Sequence, residues 1–154
     1  MMKKSINFLI LAVIVLTLFV GCSSEGKSPS IEEINDNIVQ ATDISEMRVG
    51  DAKKLEKLYG IDAEKLESFF LYTPPSNIKA DEIAILKVKD SNDIDSIKEK
   101  ISKRINDKEV SFKDYLPDEY YLVEKHVLKN KDSYILFTTH NDYKIIEETF
   151  DNCF

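Results

Sequence analysis

Glycine, cysteine, histidine and tryptophan are all scarce in this 154-residue chain, which has four glycines, two cysteines, two histidines and no tryptophan. The glycine shortage is the most restrictive. Loops that cradle nucleotide phosphates need glycine so that the main chain can approach the ligand, yet beyond residue 30 only Gly50 and Gly60 occur. P-loop and dinucleotide-binding sites are thereby excluded in their usual forms. There is no HExxH, no paired-cysteine zinc motif and no GxSxG elbow, which removes the common hydrolase designs. The two histidines, His126 and His140, lack a second ligand at metal spacing, so neither a metal nor another cofactor is expected.

Basic charge is also in short supply. The chain has 21 Lys and Arg against 28 Asp and Glu, a net charge of −7. Lys3 and Lys4 precede Cys22 and every acidic residue follows it, so the chain from Cys22 onward has 19 basic against 28 acidic residues, a net of −9. Such a surface repels nucleic acid, and no basic stripe interrupts it, so nucleic acid is not an expected partner. Cations and basic peptides stay open as partners.

The N-terminus supplies the clearest functional signal. Met1-Met2-Lys3-Lys4 is a charged start, and Ile6 to Val20 is an apolar run of signal-peptide length. It is shorter than the roughly 20 residues that span a bilayer comfortably. Its end, Phe19-Val20-Gly21-Cys22, resembles the bacterial lipobox, in which a small residue precedes a cysteine whose thiol takes lipid; it departs by placing Phe19 where leucine is commonest. The expectation is a signal peptide over residues 1–21, lipidation at Cys22, a flexible tether over 22–30 and one globular domain over 31–154. The resemblance to lipoproteins implies two or three acyl chains, enough for stable anchoring, and a place on the extracytoplasmic face of the cell membrane.

Within the domain, Ser30-Ile31-Glu32-Glu33 is a capping box, and Ile31, Ile34, Ile38 and Ala41 keep helical spacing. A second helix is expected from about Asp51 to Tyr59, with Gly60 as its stop. Leu66 to Tyr72, ended by Pro74-Pro75, and Glu82 to Lys89 read as strands. Ile94, Ile97, Ile101 and Ile105 mark a helix from Asn92 to about Asn106, whereas Phe112 to Val123 fits a helix started at Pro117 or an extended segment equally well. Val127-Leu128 and Tyr134 to Thr139 read as a hairpin, and Asn141 to Phe150 as a closing helix.

The fold class is therefore α+β, a mostly antiparallel sheet of about four strands with helices packed on it. An offset of 49 residues sets Leu86 on Ile135 and Ile97 on Ile146, which allows a strand-strand-helix pseudo-repeat. Alternation puts Ala84, Leu86, Val88, Ile135 and Phe137 on one face and Ile83, Ile85, Tyr134 and Leu136 on the other. The helices Asn92 to Asn106 and Asn141 to Phe150 are expected on the first face, and the two N-terminal helices on the second.

Three motifs carry a family resemblance: Leu58-Tyr59-Gly60-Ile61-Asp62, Ala80-Asp81-Glu82-Ile83-Ala84, and Phe112 to Tyr115 followed by Pro117-Asp118-Glu119-Tyr120. With them the chain resembles, from about Ile34 to Phe150, a family of lipoproteins of clostridia and their relatives catalogued as domain of unknown function 4358. The resemblance implies a lipid anchor and no assigned activity, substrate or catalytic residue. Each motif has a structural account as well: Gly60 as a helix stop, Asp62 as a cap, and Tyr59 packing beneath them.

The remaining candidates point to no catalysis. Cys153, the only cysteine besides Cys22, reads as a free thiol near a frayed terminus. Asp90, Asp93 and Asp95 lack the glycine and terminal glutamate of an EF-hand loop and read as a solvated cap region. Tyr72, Tyr134 and Tyr143 fall where packing explains them. The leading expectation is a non-catalytic envelope module that binds a protein or peptide at the membrane's outer face, with no catalytic residue. An accessory solute-binding lipoprotein is the alternative, against which stands a domain of about 125 residues, too small for two lobes around a ligand. An envelope hydrolase comes third.

Overall fold

Local rules of capping and alternation set most element boundaries in the computed structural model, which describes residues 28–154. The expected signal peptide, Cys22 and most of the expected tether lie outside the described residues. Helix α1 (Ile31–Ala41) starts where Ser30 Oγ accepts the Glu33 N–H at 3.1 Å. Just before it Pro29 is already buried, and its carbonyl accepts the Tyr134 hydroxyl at 2.6 Å. Packing thus begins inside the segment read as tether.

Strand β1 (Arg48–Val49) leads into helix α2 (Ala52–Tyr59), which is capped by Asp51 and stopped by Gly60 at φ +66°. That left-handed turn admits glycine without strain. Gly50 answers a different need, because a Cβ there would fall 2.6 Å from the Leu71 side chain. Strands β2 (Leu66–Thr73) and β3 (Ile83–Val88) follow, then helices α3 (Ile94–Phe112) and α4 (Pro117–Glu124). Pro117, at the first turn of α4, decides the open reading of Phe112 to Val123 in favour of a helix. Strands β4 (Val127–Lys131) and β5 (Tyr134–Thr138) form the hairpin, turning at Asp132 with φ +50°, and α5 (Tyr143–Asn152) closes the chain.

The class is α+β. The sheet has five strands in the order β1-β2-β3-β5-β4, and every pairing is antiparallel. The fifth strand is the two-residue edge strand β1, too short to leave an alternation pattern in the sequence. The two faces carry the expected side chains: Ala84, Leu86, Val88, Ile135 and Phe137 belong to one core, and Ile83, Ile85, Tyr134 and Leu136 to the other.

The helices divide differently from expectation. Helix α3 packs on the first face with α2 and α4, but α5 lies with α1 on the second, where Ile34 and Ile38 meet Ile146 and Phe150. One feature accounts for this. Helix α3 reaches Phe112 rather than Asn106, a length of about 28 Å, and with α2 and α4 it fills its face. Strands β3 and β5 are antiparallel neighbours, so the chain leaves them at opposite ends of the sheet. The pseudo-repeat holds for the strands, with Leu86 paired directly to Ile135, but not for the helices. A two-fold axis relating β3 to β5 runs through the sheet and keeps each face to itself, whereas α3 and α5 take opposite faces.

The C-terminus is packed rather than frayed. Phe154 sits against Phe150 and Tyr134 at centroid distances of 5.3 and 5.4 Å. No helix among the described residues is long and apolar enough to cross a membrane. Since both sheet faces are core, Leu86→Ala and Leu136→Ala, each fully buried on its own side, should each lower unfolding free energy by about 2–5 kcal/mol. Urea titration checks this, and a negligible loss for either residue would show that its face is not core.

Candidate functional site

The α3 stripe holds an irregularity that becomes the centre of the site. Its buried positions run Ile97, Ile101, Ile105, Lys108 and Phe112, so a lysine occupies a core position. A lysine is seldom fully buried without a partner, and here the partner is Glu82, at the entrance to β3. Lys108 Nζ lies 2.5 Å from Glu82 Oε2, with the side chains 3% and 0% exposed respectively. Arg104, one turn earlier on α3, adds its Nη2 at 3.1 Å to the same oxygen, while its Nε reaches Oε1 at 3.4 Å. The Tyr59 hydroxyl, from the end of α2, donates to Oε1.

Burial of Glu82 pushes its carboxyl up, but the charges of Lys108 and Arg104 and their hydrogen bonds outweigh it and hold the group below the ordinary 4.5. Burial pulls Lys108 below its ordinary 10.5, with Glu82 opposing. The Tyr59 phenol is pushed well above 10.0, by burial first and the Glu82 charge second, so it remains a donor.

A second set of bonds secures the loop between β2 and β3. Ala80 N–H donates to Glu119 Oε2 on α4 at 2.7 Å, and Ala80 O accepts from Lys108 Nζ at 2.7 Å and Thr139 Oγ1 at 2.5 Å. Lys79 pairs with the other Glu119 oxygen at 2.8 Å. Both main-chain groups of Ala80 are therefore clamped by side chains from outside its loop.

Between this loop, β1, α2 and α3 opens a cleft of about 420 Å³. Arg48, Lys54, Lys79, Arg104 and Lys108 line it, with Asp107 as the one lining acid. Setting these five cations against Asp107 and against the two acids they pair with, Glu82 and Glu119, leaves two positive charges. Arg48 and Lys54 account for them, since neither has an acidic partner among the described residues. The apolar part of the wall comes from Leu58, Pro74, Pro75 and Phe112. A locally positive cleft in an acidic chain attracts anions and repels the cationic partners that bulk composition leaves open.

The residues singled out in the sequence take ordinary structural places. Cys22 lies outside the described residues. His126 Nδ1 is 2.8 Å from the Val123 carbonyl, and His140 Nδ1 accepts the Asp142 N–H at 3.1 Å. Cys153 is half-buried, with Sγ 3.2 Å from Thr149 O. Asp90 caps the turn before α3, and Asp93 pairs with Lys65 at 2.6 Å. Tyr72 donates to Asn35 Oδ1 at 2.8 Å. No group of three or more His, Cys, Asp or Glu side chains among the described residues is placed to hold a metal ion.

No local sequence pattern announces the network, although all three motifs that carry the resemblance contribute to it: Tyr59 from the first, Ala80 and Glu82 from the second, Glu119 from the third. The available signal was Lys108, spaced in register with the isoleucine stripe. A family model described as "Domain of unknown function (DUF4358)" matches residues 40–140, a span that contains the buried network and the whole cleft lining. No curated protein and no solved structure matches the chain.

A carboxyl whose pKa is lowered by folding stabilises the fold above its unfolded value, and that contribution is lost as pH falls through the folded-state pKa. Glu82→Gln, which leaves Lys108 and Arg104 without their counter-charge, should cost about 3–5 kcal/mol at pH 7. Below pH 4.5 the wild type loses the advantage and the difference narrows. Chemical denaturation at pH 7 and pH 3.5 checks it. A difference that is absent at pH 7, or unchanged on acidification, would contradict the assignment.

Proposed function

The chain belongs to the family described as domain of unknown function (DUF4358), and we propose that this protein is a lipid-anchored, extracytoplasmic module that binds a protein or peptide without catalysing a reaction on it. The anchor rests on the charged start, the short apolar run and the Gly21-Cys22 junction, which together match export and lipidation at Cys22. The binding role rests on one observation, the cleft between the β2–β3 loop and α3, whose walls are fixed in advance by the clamps on Ala80 and Glu82. Prior fixing of this kind reduces the ordering cost of binding.

The chemistry of the cleft favours binding over turnover. Glu82 has both oxygens occupied by Tyr59, Arg104 and Lys108 and is held ionised, so it has neither a free lone pair aimed at the cleft nor a proton to give. Lys108 is committed to Glu82 and the Ala80 carbonyl. Ser111 donates its hydroxyl to Asp107 O at 2.7 Å, and the lining contains no histidine to act as its base.

A photo-crosslinking residue at Asn77, exposed on the cleft rim, should capture a discrete partner in the membrane fraction of cells that make the full-length protein. The same residue at Glu148, exposed on α5 on the opposite face, should not. Cys22→Ser should move the protein out of the membrane fraction and abolish labelling by a fatty-acid analogue. Equal adducts from both positions would sink the binding site, and equal lipid labelling of wild type and Cys22→Ser would sink the anchor.

A further inference from the structure

We infer that the cleft takes an acidic peptide segment, an extended stretch in which spaced Asp or Glu side chains alternate with apolar ones. This rests on reading the cleft as the partner-binding site and names the chemistry of the partner. The charges come first. Of the five lining cations, three are tied to buried acids, and the two left over, Arg48 and Lys54, belong to different elements, β1 and α2. Both are exposed, so they meet a ligand before the buried charges do.

The form of the anion follows from how the cations are presented. A compact phosphate is held by several main-chain N–H groups converging from a helix N-terminus or a glycine-rich turn. Here the positive groups are long side chains distributed over β1, α2, the β2–β3 loop and α3, and apolar Leu58, Pro74, Pro75 and Phe112 share the lining with them. Spaced carboxylates with apolar neighbours match that distribution, and a single small anion does not. Arg48 presents a planar fork suited to a carboxylate, and Lys54 a mobile point charge. The remaining surface of this acidic chain repels the same peptide, which confines it to the cleft.

The test uses the full-length protein in mild detergent and three fluorescein-labelled peptides of equal length, with Glu, Gln or Lys alternating with Leu and Ala. Fluorescence polarisation should show the Glu peptide binding at least tenfold more tightly than the Gln peptide, the Lys peptide not binding, and affinity falling as salt rises. Arg48→Gln with Lys54→Gln should weaken the Glu peptide at least tenfold. Lys53→Gln with Lys57→Gln removes the same charge from exposed positions on α2 outside the lining and should leave binding within about twofold. Equal weakening by the two double variants would overturn the cleft assignment, because net charge alone would then explain the binding. Displacement of the Glu peptide by inorganic phosphate at equal concentration would overturn the peptide in favour of a compact anion. If no peptide binds while the Asn77 adduct still forms, the acidic-peptide inference fails and the binding role stands. If neither occurs, both fail.

Discussion

A carboxylate with no exposed surface is the constraint around which this fold is organised. Glu82 enters the sheet at the start of β3, where taking an ion out of water costs several kcal/mol unless its lone pairs are met. Three donors from two helices meet them: Tyr59 from the end of α2, and Arg104 and Lys108 from α3. The arrangement fixes where those helices lie on the sheet, because each must deliver a donor to one point. It also explains why α3 continues past its last isoleucine: Lys108 and Phe112 extend the buried stripe by two more contacts.

The same interaction shapes the cleft. Lys108 divides its donors between Glu82 and the Ala80 carbonyl, so the loop that walls the cleft is tied to the ion cluster that floors it. Arg104 and Lys108 share the single charge of Glu82, with Asp107 beside them in the lining as the second acid, and Lys79 is matched by Glu119. The positive field at the opening therefore comes from Arg48 and Lys54, which contribute nothing to these clamps. On the proposed reading stability and recognition fall to different charges, so that Arg48 and Lys54 can change without loosening the fold.

Much of the architecture could be read from local rules that act over a few residues. The Ser30 capping box, the Asp51 and Gly60 boundaries and the alternation in β3 and β5 each depend on neighbours in sequence. What escaped depends on distance. The face taken by α5 follows from how much of the opposite face α3, α2 and α4 already cover, and that is settled only when the helices are packed. The site escaped for a related reason: Lys108 looks like the polar end of a helix until Glu82, 26 residues earlier in the chain, is placed beside it. Overall charge pointed away from the cleft, because a net of −9 from Cys22 onward conceals a local excess of two positive charges.

The central claim, that one buried ion cluster fastens α3 to the sheet and sets the cleft, is tested most directly by a double-mutant cycle between Glu82→Gln and Lys108→Met, read by equilibrium unfolding at pH 7. Glu82→Gln leaves Lys108 buried without its counter-charge, Lys108→Met removes one of the three donors to Glu82, and the double variant removes both charges of the pair. The double variant should be more stable than the sum of the two losses allows, with a coupling energy of roughly 1–3 kcal/mol. Strictly additive losses would contradict the account, since they would mean that the two residues do not act on each other.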